Sequence, residues 1–306
     1  MHVQTGVIAE ANPSALFLTF NQTKNENALE QVKKGLVQVP MLQESYSSQY
    51  PDANIHIVVA VGSCYWLELS PDAQPNALSP FPSLENGELV APNTPVDLLL
   101  HIRSDRKDVN FKLAQELTQI LGDAVELVEE VEGFRYLDSR DITGFVDGTE
   151  NPEGDHRAEV AVVAEEDPAF AGGSYIHLQR YVHNMSYWNK QPVKKQEDTI
   201  GRTKQDNIEY ASADKDLTSH TKRTSLKDAE GNSVEILRHS MPYGNTQECG
   251  LMFASYCRTP DNFTLMLKSM IEGDGSGHCD HLLKYTRAVT GQAFFAPSVE
   301  FLQSLG

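Results

Sequence analysis

Residues 15–37 read ALFLTFNQTKNENALEQVKKGLV, and a change of period inside them decides the fold. Residues 15–21 alternate in the manner of a strand. From residue 25 the apolar positions Ala28, Leu29, Val32, Leu36 and Val37 recur at the spacing of one helix face. Going outward, 55–61 and 96–103 are apolar runs of the buried-strand type. The Pro-, Asn- and Ser-rich stretch 71–95 between them reads as loop. A second helix is predicted over 109–121 and a strand over 125–134. The order is strand, helix, strand, strand, helix, strand, which is the ferredoxin-like βαββαβ unit.

The remainder of the chain repeats that order without evident sequence identity. Strands are predicted over 174–182, 234–238, 251–257 and 293–296, and helices within 187–201 and over 262–271. Two such units packed sheet to sheet make one α+β body with helices outside. The expected division is 1–140 for the first unit and 141–306 for the second, each long enough to bury a core. The connections 141–173 and 205–223 are long, and long connections tend to carry function.

Composition removes several classes of partner. The formal net charge is −18, and no basic cluster exceeds the pairs Lys194-Lys195 and Lys222-Arg223, so neither nucleic acid nor an anionic membrane is expected to bind. The four cysteines, Cys64, Cys249, Cys257 and Cys279, form no CxxC or CxxCH pattern. That leaves no zinc knuckle and no covalent c-type heme attachment. The first 20 residues carry no Lys or Arg, no signal-peptide pattern is visible, and no run approaches the ~18 apolar residues of a membrane span. A cytoplasmic setting is expected. Rossmann, P-loop, HExxH and GxSxG motifs are missing.

Within the first long connection, residues 144–152 read GFVDGTENP. Gly144 and Gly148 permit turns or close approach, Phe145 and Val146 supply apolar wall, and Asp147 is a carboxylate set among them. On local chemistry a capped turn would explain this acid. Further on come GGSY at 172–175, IGRTK at 200–204, SHTKR at 219–223, ILRHSMPYG at 236–244, DHLLKYTRAVTG at 280–291 and FFAPS at 294–298. In this order and spacing the chain resembles the dye-decolorizing peroxidases, heme b enzymes marked by a GxxDG motif, and in particular their compact bacterial members. The likeness is dense from Arg140 onward and weak before it.

The resemblance implies paired ferredoxin-like units of the dimeric α+β barrel type, with one non-covalent heme b per chain in the second half. It implies His220 as the proximal iron ligand. Asp280 would then be the carboxylate on the second imidazole nitrogen, which fixes the tautomer and strengthens the ligand. Asp274 is a weaker substitute, and capping a helix near His281 is the alternative role for Asp280. Arg238 matches the distal arginine, a permanent charge suited to a developing oxyanion. Asp147 would move the peroxide proton, and beside Arg238 it is expected to stay ionised well below neutrality, giving an acidic optimum. Ser240, two residues from Arg238, could order a distal water. Arg223 and Arg202 are candidate propionate partners, and Gly148 and Thr149 extend the heme contacts.

The expected substrates are hydrogen peroxide and small aromatic electron donors of phenolic or dye-like kind. A homodimer or larger homo-oligomer is expected, and packaging through a C-terminal tail is not. The rival function is a heme carrier or iron-releasing, deferrochelatase-like protein. The other histidines, including the HCDH run at 278–281, read as structural, and Tyr187 and Trp188 as packing.

Overall fold

The structure, a computed structural model, describes residues 2–306. Strand β1 (Ser14–Gln22) is buried on both faces, and that double burial organises the molecule. Leu16, Leu18 and Phe20 face one side, while Ala15 and Phe17 face the other, as the two-residue period of a strand requires. The first side is covered by helices α1 (Ala28–Gln49) and α2 (Lys107–Leu121). The second side looks into a closed sheet.

Strands β2 (His56–Gly62), β3 (Leu98–Ser104) and β4 (Val125–Phe134) join β1 in the antiparallel order β2-β3-β1-β4. The second half places β5 (Ser174–His183), β6 (Met241–Gly244), β7 (Cys249–Cys257) and β8 (Gln292–Ala296) in the matching order β6-β7-β5-β8. The units join edge to edge, β8 to β2 through Phe294↔Gly62 and Phe295↔Val61, and β4 to β6 through Gly133↔Tyr243. The result is one ring around a shared interior of Phe17, Val58, Leu99, Ile176, Met252 and Tyr256. The α+β class and paired ferredoxin-like barrel expected from the sequence are therefore observed, with the sheets meeting along both edges as well as across the core.

Four local expectations need correction. Helix α1 runs on to Gln49, past Pro40, because Val39 and Tyr46 continue its buried stripe and their burial offsets the hydrogen bond a proline cannot make. Stretch 71–95 contains a small hairpin, Leu84–Asn86 with Leu89–Ala91. The predicted helix within 187–201 is two helices, Met185–Trp188 and α3 (Val193–Ile200), divided at Pro192. Predicted strand 234–238 yields only Leu237–Arg238, and the longer strand is β6, which Pro242 disguised in sequence.

The halves differ where function would need them to. In the first, α1 lies along the outer face of the sheet and fills it. In the second, the element at the same place in the order is those two short helices and a long loop that leads to α4 (His220–Thr224). Only α5 (Pro260–Ile271) covers the outer face at length, started by Thr259, whose hydroxyl accepts the Asp261 N–H at 3.3 Å, and by Pro260. The face of β5 and β7 that the first half would have filled is left hollow.

Candidate functional site

That hollow is a pocket partly open to solvent. Leu251 and Phe253 of β7, Phe263, Met266, Leu267 and Met270 of α5, and Ile236, Leu282 and Leu283 make most of its wall apolar. Asp147, Arg238 and His220 are among the polar groups that line it. A large apolar pocket with a few convergent polar groups is the usual form of a cofactor or ligand site.

Asp147 is held by a tightly tied loop. The Asp141 carbonyl accepts the Gly144 N–H at 2.8 Å, the Phe145 carbonyl accepts the Asp141 N–H at 2.8 Å, and the Ser139 carbonyl accepts the Asp147 N–H at 3.0 Å. Arg140 donates to the carbonyls of Gly144 at 2.9 Å, Lys204 at 2.5 Å and Gln205 at 3.1 Å, which fastens this loop to the one after α3. Gly144 has φ +90°, so its backbone conformation calls for glycine. Gly148 has φ +81° with nothing within 4 Å of an added Cβ, and it borders the hollow.

Burial pushes the Asp147 carboxyl up from the ordinary carboxylate range. Arg238 pulls against that rise, Asp141 adds to it, and the Gly148 N–H and His220 oppose it. Desolvation thus outweighs the guanidinium, and Asp147 holds its proton more tightly than a free aspartate does. Burial pushes Asp141 up as well, but bonds from His183 at 3.0 Å and from the Thr143 N–H at 3.0 Å and hydroxyl at 2.5 Å overcome it and hold Asp141 below its usual range.

His220 Nδ1 lies 2.6 Å from Asp280 Oδ2, and the Asp280 side chain is 0% exposed. A carboxylate so placed accepts a hydrogen bond from Nδ1–H, which leaves the Nε2 lone pair free. Nε2 has no partner among the described residues, and the ring lines the hollow. Asp280 Oδ1 also accepts the Leu282 N–H at 2.9 Å, so Asp280 both caps the following 3₁₀ turn and orients the histidine. Its backbone is pinned to α5 through the Met270 carbonyl, and the His281 N–H donates to the Thr218 carbonyl, tying the two segments together. Asp274 instead pairs with His278 at 2.8 Å.

Arg238 is positioned by Asn151, a residue that no local pattern marked for a role. The Asn151 side chain donates to the Arg238 carbonyl and accepts the Arg238 N–H, both at 2.8 Å. The Arg238 guanidinium forms no ion pair among the described residues, and it faces the same space as Asp147. Ser240 lies elsewhere: its hydroxyl accepts the Ala254 N–H at 3.1 Å, and it borders a smaller neighbouring cavity, which also touches Asp147 and Arg238. Arg202 lines the main hollow but is paired with Glu209 at 2.9 Å and Glu150 at 3.1 Å. Thr149 lines it too, its hydroxyl accepting from Asn207 at 2.8 Å. Arg223 does not reach the hollow; it is buried, 3.8 Å from Asp274.

Comparison with known proteins bears on this geometry. Residues 138–301 match the model of the Dyp-type peroxidase C-terminal domain, and residues 4–135 that of the N-terminal domain. The dye-decolorizing peroxidase of Mycobacterium tuberculosis is 40% identical over 97% of this chain and 88% of its own length. A solved structure from Shewanella oneidensis, described as dyp-type, superposes with TM-score 0.96 at 53% identity, covering 99% of this chain and 98% of that one. A variant of DypB from Rhodococcus jostii, solved in complex with heme, superposes with TM-score 0.96 at 37% identity and the same coverage.

Proposed function

Because the chain belongs to the Dyp-type peroxidase family, we propose that it is a heme b peroxidase in which His220 holds the iron, with Asp147 and Arg238 acting on hydrogen peroxide. One observation carries the assignment: the His220–Asp280 pair leaves Nε2 free at a largely apolar hollow that Asp147 and Arg238 also line.

The residues fit the cofactor. The apolar wall suits a flat macrocycle, the space at Gly148 admits a ring edge close to the backbone, and the buried carboxylate on His220 makes the imidazole a more basic ligand. Arg202, Gly148 and Thr149 would stand around it, with Arg202 beside a propionate. Bound heme supplies the redox-active iron. Asp147 accepts a proton from peroxide and returns it to the departing oxygen, and the Arg238 guanidinium steadies the negative charge that develops there. Electrons come singly from a small aromatic donor, phenolic or dye-like.

Turnover is favoured over heme carriage because a carrier has no need of a desolvated acid and an unpaired arginine together on one wall. Ser240 is assigned to water in the smaller cavity beside Asp147. Arg223 is assigned to holding the Asp274 loop rather than a propionate. The unit boundary is taken at residue 140. A homo-oligomer is favoured by the exposed apolar side chains Leu127, Val128 and Leu137, and a cytoplasmic setting by four unpaired cysteines. No helix among the described residues is long and apolar enough to cross a membrane.

The deciding experiment is His220→Ala expressed with adequate heme. It should bind heme poorly or lose the wild-type visible spectrum, and a variant with unchanged spectrum and dye turnover would move the ligand to another residue.

A further inference from the structure

The smaller cavity is unusually cationic for so acidic a protein. Arg103, Arg135, Arg140 and Arg238 border it together with His239, and Asp147 is its one carboxylate. Arg140 is matched by Asp138 at 2.8 Å, but Arg103, Arg135 and Arg238 have no carboxylate partner among the described residues.

Arg103 is the decisive member. It projects from β3 into the ring interior and is 2% exposed. Its guanidinium donates to His239 Nδ1 at 2.8 Å and to the Gly6 carbonyl at 2.5 Å, and Nε has no partner. Because Arg103 can only donate, His239 Nδ1 is an acceptor, and its Nε2–H donates to the Val7 carbonyl at 2.8 Å. The histidine is therefore neutral and offers no counter-charge. Burial lowers the Arg103 pKa to about 10, with Tyr256 the one group pulling it back up and Arg157 adding to the fall. A buried cation normally has an anion against it, and here the protein supplies none while leaving a cavity beside it.

We propose that this second cavity is a binding site for a small monovalent anion, held by Arg103 next to Asp147 and Arg238. The single carboxylate on the wall disfavours a higher charge, and the exposed Arg135 stands where an ion would enter. The cavity adjoins the hollow and shares Asp147, Gly148 and Arg238 with it, but Arg103 lines the smaller cavity alone, and the inference does not depend on any step of peroxide chemistry.

Bromide is the probe, because its anomalous scattering locates it. Crystals of the heme-loaded protein grown in sodium bromide should show an anomalous peak against Arg103, and Arg103→Met crystals should not. In solution at constant ionic strength, exchanging fluoride for bromide should raise the thermal midpoint of the wild type and leave that of Arg103→Met unmoved. Should Arg103→Met not fold, Arg103→Lys keeps the charge and should retain a weaker peak. A wild-type cavity holding only water at high bromide, or a bromide effect that persists without Arg103, would overturn the proposal.

Discussion

A buried carboxylate against an imidazole is worth most when the imidazole has a metal to hold. Asp280→Asn keeps the shape and the Leu282 cap but removes the charge, so it should lower heme affinity or peroxide reactivity by roughly 10–100-fold. Pyridine-hemochrome titration separates loss of heme from loss of rate. Arg238→Leu should retain heme and slow the reaction with peroxide by roughly a hundredfold, the usual effect of deleting one electrostatic donor; stopped-flow rates within a few-fold of wild type would make Arg238 structural. For Asp147 the sign runs from its raised pKa: the folded protein keeps this proton above the ordinary carboxylate range, and the basic form appears only as pH rises through the raised value. The peroxide step should therefore lose rate on acidification at higher pH than a free aspartate would, even if later donor oxidation favours acid. Since Asp141 adds to that rise, Asp141→Asn should move the acid limb to lower pH, and an unmoved limb would show that burial alone sets it.

Between residue and fold stands the pair of loops that carries the site. The Asn151 side chain bridges the loop of Asp147 to the backbone of Arg238, so Asn151→Ala removes two hydrogen bonds at once. It should cost about 1–3 kcal/mol in stability and slow peroxide reactivity more than it lowers heme content; equal losses in both would indicate simple unfolding. The sequence made most of the strands and the long helices readable because each carries its own period, as β1 and α5 show, while β6 stayed hidden behind Pro242. The motifs singled out Asp147, His220, Arg238 and Asp280, and the structure brings the first three to one hollow with Asp280 bonded to His220. Asn151, Arg140 and His183 were not singled out, because what they do depends on backbone groups or a side chain more than 40 residues away, at Arg238, Lys204 and Asp141. Local pattern does not record such distances. The direction of the Asp147 shift escaped for the same reason: an arginine nearby can be inferred from a motif, whereas the depth of a carboxyl cannot.

Three histidines inside the molecule tie its stability to pH. Burial lowers the pKa of His101 and His239 well below the usual value, with Arg103 adding to each, and burial alone takes His177 down to about 3. Their folded pKa lies below the unfolded one, so on acidification the unfolded chain takes up protons first. Stability is fully present above about pH 6.5 and should fall below it, each histidine contributing a slope of up to about 1.4 kcal/mol per pH unit. His177 stacks on Phe263 at 4.1 Å, and His177→Phe should flatten that fall; thermal midpoints from pH 7 to 4 that track wild type would remove it from the account. The two seams of the ring are unequal as well. One joins β8 to β2 by two residue pairs, the other β4 to β6 by Gly133↔Tyr243 alone. A cylinder with one weak seam breathes there first, and amide hydrogen exchange should be fastest, among ring strands, along β6. That strand begins three residues after Arg238, so an opening of this seam would reach the backbone that carries the arginine.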